Sequence, residues 1–256
     1  MGSAYVVTGG GRGIGRALAE RLLAGSHTVV AVDLDPAALD WTARHPAGQR
    51  AIALAGSAED EAVTEKAADL AQAAGTLTGW VNNAAVFRDA SLHTSSARTV
   101  LNLIAGTMNP AVVGCATALR RFLADGTEGS IVNVSSHQAR QAVPGCTPYV
   151  TAKAAVEGLT RALAVEYGPH GIRVNAVAPG SVSTERYTDM LAGLDPARAA
   201  RVEEEMRVLH PLGRVGRPAE AAAAIAHLLS QEAAYITGVT LPVDGGRTVL
   251  GRDPEW

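Results

Sequence analysis

The stretch Thr8-Gly9-Gly10-Gly11-Arg12-Gly13-Ile14-Gly15 limits what this chain can fold into more than any other. An apolar run at 4–7 precedes it and reads as a buried strand. Behind it Ile14, Ala17, Leu18 and Leu22 recur at helical spacing as far as Gly25. Strand, glycine-rich turn and helix, in that order, aim backbone N–H groups at a helix N-terminus, where a pyrophosphate binds. Side chains would keep phosphates away from that backbone, so glycine is the residue the turn needs. Glycine clusters also make ordinary turns; the flanking strand and helix give this one its meaning.

The same alternation runs on. Strands are expected over 27–32, 50–54, 77–81, 131–134, 172–177 and 239–243, and helices over 37–45, 58–74, 97–124, 147–168 and 218–230. This is the pattern of an α/β protein, a doubly wound parallel sheet with helices on both faces. The strand ends at 8–15, 33, 82–85, 135–136 and 179–184 then converge on one edge. At 256 residues and 47% apolar, with no linker or repeat, the chain suits a single domain spanning 1–256. A net charge of −3 without a basic block argues against nucleic acid or a membrane surface as partner. Two cysteines outside any C-x-x-C imply free thiols, and seven scattered histidines show no metal-ligand spacing. No uninterrupted apolar run approaches the roughly 18 residues of a membrane span. The first strand begins too early for a signal peptide, so a cytoplasmic location is expected.

The second informative stretch is 131–153. Its strand ends in Ser135 and Ser136, a loop carries Pro144 and Gly145, and a helix starts with Thr147 as N-cap and Pro148 at the first helical position. Tyr149 and Lys153 are then one turn apart on the same face. A free phenol has a pKa of about 10 and is a poor base. An ammonium at ~4 Å and an effective dielectric near 20 favours the phenolate by about 4 kcal/mol, roughly three pKa units. A Ser hydroxyl at the strand end can bond the same substrate oxygen. A Tyr and a Lys at this spacing can also be a packed ring and a solvated amine. Ser136, thirteen residues before Tyr149, separates the two readings.

Ser136 with Tyr149-Val150-Thr151-Ala152-Lys153 resembles the active-site signature of the short-chain dehydrogenase/reductase family, and the T-G-x-x-x-G-x-G spacing of 8–15 resembles that family's glycine motif. The resemblance covers about 4–246. It implies a single-domain Rossmann-like fold and an NAD(P)(H)-dependent oxidoreductase acting on a small alcohol or ketone. Tyr149 would pass the proton, Lys153 would lower its pKa and hold the nicotinamide ribose, and Ser136 would polarise the carbonyl oxygen. An Asn in the long helix would anchor a relay water. Asn102 and Asn109 are candidates; Asn109 has the better spacing to Ser136, and Pro110 after it favours a kink.

The resemblance further assigns cofactor contacts to Thr8, Gly9, Arg12, Gly13, Ile14, Gly15, Asp33, Asn83, Ala84, Pro179, Gly180, Val182 and Thr184, besides Tyr149 and Lys153. Asp33 would accept from the adenosine ribose hydroxyls and repel a 2′-phosphate, arguing for NAD. Arg12 argues for NADP. The chain departs from the family pattern at Ala85, where Gly is usual, and at Ala55-Gly56-Ser57, where an Asp near the adenine is usual. His137, Gln138 and a lid at about 185–215 would line the substrate pocket, and Glu203-Glu204-Glu205 reads as a solvated helix face. A homotetramer is the family's expectation. Two alternatives stand: an NADP-dependent 3-oxoacyl thioester reductase, and a non-catalytic dinucleotide-binding protein on the same fold.

Overall fold

A computed structural model describes residues 2–251. Its elements run β1 (Ser3–Thr8), α1 (Gly13–Ala24), β2 (Thr28–Asp33), α2 (Asp40–Ala43), β3 (Ala51–Ala55), α3 (Glu61–Ala74), β4 (Thr76–Asn82), α4 (Ala97–Asp125), β5 (Ser130–Val134), α5 (Thr147–Tyr167), β6 (Arg173–Pro179), α6 (Glu185–Ala192), α7 (Pro196–Leu209), α8 (Pro218–Leu229) and β7 (Thr240–Val243). The strands form one parallel sheet in the order β3-β2-β1-β4-β5-β6-β7. Central strands are buried on both faces, which is why they read as unbroken apolar runs. One face packs against α3, α4 and α5 through Leu77, Trp80, Leu119, Phe122, Ile131 and Val174. The other packs against α1 and α8 through Leu18, Leu22, Val132, Ile225 and Leu228. The fold is the single-domain Rossmann-like one expected. Connections from β1 run one way along the sheet and from β4 the other, so the loops after these strands part and leave a crevice.

Local expectations change in three places. The helix expected at 37–45 is a 3₁₀ turn, Pro36–Leu39, followed by the single turn of α2. Residue 58 does not start α3; Asp60 caps it by accepting from Ala62 N. Thr147 is the first helical residue of α5, and Cys146 caps it without a side-chain bond. As expected over 97–124, α4 is one helix of 29 residues, with Pro110 inside it. Packing of that helix against α3, α5 and β4 outweighs the ~3 kcal/mol that an interior proline costs. By length and composition α4 alone among the described helices could cross a membrane, yet its Arg121 is paired with Glu65 and Asp69 of α3.

Four elements are joined by a buried polar network. Asn82 Oδ1 accepts from Trp80 Nε1 at 2.9 Å, and Asn82 Nδ2 donates to Asn133 Oδ1 at 2.9 Å. Asn133 Nδ2 donates to Thr160 Oγ1 at 3.0 Å, and the Cys115 thiol completes the cluster. It therefore ties β4, β5, α4 and α5 together, and α5 carries Tyr149 and Lys153. Helix α4 approaches β4 closely only because position 114 is glycine: a Cβ there would overlap Asn82 Oδ1.

Gly114→Ala tests this. Alanine favours a helix interior by up to about 1 kcal/mol, whereas overpacking a buried contact costs roughly 1–3 kcal/mol. The clash should win, because the Asn82 amide it meets is held at both its oxygen and its nitrogen by hydrogen bonds. Urea unfolding should show a net loss on the order of 2 kcal/mol; an unchanged or increased stability contradicts the packing described.

Candidate active site

The glycine turn after β1 is held by contacts with the end of β4. Thr8 Oγ1 accepts from Asn83 N and Ala84 N at 3.1 and 3.2 Å, and Asn83 Nδ2 donates to the carbonyls of Thr8 and Gly9. Gly9 and Gly13 have φ of +64° and +52°, a region L side chains avoid. A Cβ on Gly15 would overlap the Gly9 carbonyl oxygen, so α1 enters against its own loop only because this residue is glycine. Asp33, at the end of β2, accepts from Gly11 N through Oδ2 (3.0 Å) and from Asp35 N through Oδ1 (3.1 Å). Arg12 is ion-paired with Asp35.

Across the crevice β5 ends and α5 begins. Ser136, Tyr149 and Lys153 are all buried there. Ser136 Oγ accepts from Gln138 N at 3.2 Å. Ser135 Oγ bonds the Lys153 carbonyl and the Glu157 carboxylate, and Glu157 is paired with Arg140. The strand end is thus clamped to the helix beside the candidate catalytic residues. Lys153 Nζ donates to the Val134 carbonyl at 2.6 Å and lies 5.6 Å from the centre of the Tyr149 ring.

The electrostatics differ from the sequence expectation. Burial pushes the Tyr149 phenol up to about 12, offset in part by the Ser136 hydroxyl and the Arg186 charge. Burial also brings the Lys153 ammonium down to about 8. Desolvation therefore dominates both groups, and the ammonium is engaged by a carbonyl rather than by the phenol oxygen. At neutral pH this geometry holds Tyr149 as a protonated hydrogen-bond donor.

The structure does not bring every candidate to this cluster. Asn109 is exposed on α4, while Thr107 turns inward and donates to the Val86 carbonyl at 2.9 Å. Two positions on a helix are roughly 200° apart, so a residue two away faces the other side. His137 is buried against β6, with Nδ1 3.2 Å from the Pro179 carbonyl; burial first, and then the Arg247 charge, hold its imidazole down at about 4. Gln138 is half-buried beside Ser136. Gly180 packs under Asp244, and Val182 pairs with Gly216. Thr184 caps α6 with its methyl against Gly13. The 185–215 segment forms α6 and α7.

Sequence reasoning missed two site residues. Phe87, in the connection between β4 and α4, lies against the Tyr149 ring at 4.8 Å between centres. Arg186 stacks over Phe87 at 4.2 Å. An aromatic directly after the Asn-rich end of β4 was the available signal for the first; nothing local marks the second.

A glycine cradle at the sheet's switch point, facing a buried Ser, Tyr and Lys, defines a dinucleotide-dependent oxidoreductase. Known proteins agree. The family model described as enoyl-(acyl carrier protein) reductase matches residues 9–248. The chain is 38% identical over 256 residues to 2,5-dichloro-2,5-cyclohexadiene-1,4-diol dehydrogenase of Sphingobium indicum, covering 97% of this chain and 98% of that one. It is 37% identical over 251 residues to carbonyl reductase family member 4 of Danio rerio, covering 98% and 100%. Among solved structures, aldohexose dehydrogenase of Thermoplasma acidophilum superposes with a TM-score of 0.85 at 30% identity, over 99% of this chain and 96% of that one. Levodione reductase gives 0.87 at 29% identity, over 98% of each. The chain belongs to the short-chain dehydrogenase/reductase family. It is an NAD(P)(H)-dependent oxidoreductase of small organic substrates, which sets aside the non-catalytic alternative.

The lysine shift predicts a pH-dependent stability. Between pH about 8 and 10.5 the unfolded chain still holds the Lys153 proton that the folded chain has released. The unfolded state then binds more protons, so this contribution to stability rises with pH across that window. Below pH 8 both states are charged and the folded state bears the full burial cost, about 3 kcal/mol for a shift of this size. In denaturant titrations, wild-type stability minus that of Lys153→Met should therefore increase from pH 7.5 to 10.5. A flat difference means the ammonium is not buried as described.

Proposed function

We propose that this enzyme interconverts a secondary alcohol and a ketone, prefers NAD, and uses Tyr149 as its proton carrier. The observation that carries this reading is the burial of Ser136, Tyr149 and Lys153 together at the carboxyl edge of the sheet. The glycine turn suits a dinucleotide: Gly15 lets α1 start tight against the loop, and Gly13 N at its first turn already donates to a carboxylate. Gly9, Gly13, Ile14 and Gly15 would hold the pyrophosphate, with Thr8, Asn83 and Ala84 supporting that loop. Asp33 would hold the adenosine ribose, Lys153 the nicotinamide ribose, and Pro179, Gly180, Val182 and Thr184 the nicotinamide. Bound NAD(H) supplies the hydride chemistry. Tyr149, protonated at rest, gives its proton to the carbonyl oxygen in reduction and regains it in oxidation. Ser136 Oγ donates to the same oxygen and stabilises the charge that develops there.

Arg12 was the argument for NADP, and its pairing with Asp35 leaves it less free to meet a 2′-phosphate. The Asp33 carboxylate, at the end of β2 and bonded to Gly11 N, would face that phosphate. This favours NAD, and it counts against the 3-oxoacyl thioester reductase alternative. The names of the relatives, a diol dehydrogenase and an aldohexose dehydrogenase among them, suit an alcohol substrate. Helices α6 and α7 are the proposed lid. Leu101, Val112 and Leu123 of α4 and Val165 of α5 are exposed apolar residues, which supports assembly into a homotetramer through these helices.

Tyr149→Phe keeps the ring and removes the proton carrier. Turnover of an alcohol with NAD should fall by roughly 10²–10⁴, while NAD affinity by calorimetry stays near the wild-type value. Unimpaired turnover would exclude Tyr149 from the chemistry. Cofactor choice gives a separate check: the wild type should have a higher kcat/KM with NAD than with NADP, and Asp33→Ala should move the ratio toward NADP. Equal use of both cofactors by the wild type would refute the role given to Asp33.

A further inference from the structure

Glu185 opens α6, far along the chain from the glycine turn, yet its Oε2 accepts from Gly13 N at 3.0 Å. Gly13 is the first residue of α1, and its N–H is one of the donors that a helix leaves unpaired at its start. Such a donor, at the positive end of a helix, favours an anion. The contact does not arise from a salt bridge. Arg12 is paired with Asp35 and Arg16 with Glu20, and Glu185 has no ion pair among the described residues. Glu185 also lines two cavities, of about 430 and 610 Å³, that share Arg16 and Glu20. A side chain 172 positions away thus provides the negative charge in the cradle.

We propose that Glu185 is an internal anion that competes with the cofactor's pyrophosphate for the Gly13 N–H, and so sets cofactor affinity and couples its arrival to release of the start of α6. This rests on the reading of 8–15 as the pyrophosphate site. The phosphate and the carboxylate need the same donor and repel each other, so one displaces the other. Displacement frees the first turn of α6, which carries Arg186 over Phe87 and thereby over Tyr149. The segment that borders the reacting group is in this way held through a contact that cofactor binding breaks.

The test is calorimetric binding of ADP-ribose and of adenosine to wild type, Glu185→Gln and Asp189→Asn. Asp189 lies on the same helix and borders the same cavity without touching Gly13, so it reports the general effect of removing a charge. Glu185→Gln should bind ADP-ribose roughly two- to fivefold more tightly, the range for one anion at a helix N-terminus. Adenosine binding should be unchanged, and Asp189→Asn should behave as wild type with both ligands. Unchanged or weaker ADP-ribose binding by Glu185→Gln overturns the proposal. So does equal tightening by Asp189→Asn, or tightening toward adenosine as well. A wild type that binds neither ligand would instead refute the pyrophosphate site on which the proposal stands, and the proposal with it.

Discussion

The hydrogen bond from Asn82 to Asn133 is the contact on which the rest of the structure depends. Amide groups buried between two central strands are costly unless every donor and acceptor finds a partner. Here Trp80, Cys115, Thr160 and the Ala111 carbonyl supply those partners, drawn from β4, α4 and α5. The consequence is positional. Apolar packing alone would let α5 slide against the sheet, whereas directional bonds at fixed points do not. The helix that carries Tyr149 and Lys153 is registered to the strand that ends in Ser136. The clamp from Ser135 to the Lys153 carbonyl and Glu157 repeats that logic one layer nearer the site.

Much of this was legible in the chain itself, for identifiable reasons. Strands buried on both faces leave apolar runs such as Val29 to Val32, and these mark the sheet directly. Positive-φ turns demand glycine, so the cradle was visible as Gly9 and Gly13. Tyr149 and Lys153 share a helix face by spacing alone. What stayed hidden depends on rotation or on long-range contact. Asn109 and Thr107 differ in sequence by two positions and in direction by about half a turn. The placement of Thr147 as cap was off by one residue, the usual uncertainty at helix ends. Glu185 meets Gly13, and Phe87 meets Tyr149, through tertiary folding that leaves no periodic trace.

Desolvation decides the electrostatics of the site. A cation near a phenol is expected to favour phenolate, yet Tyr149 and Lys153 are both shifted toward their neutral forms. The two statements are compatible, because the Coulomb gain needs the ammonium at the phenol oxygen and Lys153 Nζ instead donates a hydrogen bond to the Val134 carbonyl. Neutral partners are cheaper to bury than a charged pair whose geometry is imperfect. At neutral pH the fold thus keeps the phenol protonated and neutral, while the ammonium, still mostly charged below about 8, is held by a backbone carbonyl rather than by the phenol oxygen.

The two cysteines differ in a way that bears on chemical labelling. Cys115 is sealed within the amide network, and burial raises its thiol to about 12, so the nucleophilic thiolate is almost absent. Cys146 is half-buried, bonds Asp89, and immediately precedes the helix that presents Tyr149. Burial and the Asp89 carboxylate raise the Cys146 thiol as well, so a maleimide or iodoacetamide reagent would be steered to this position by its exposure rather than by a lowered pKa. A fluorophore attached there would sit at the mouth of the crevice, three residues from the phenol, as an intrinsic reporter of events at the active site.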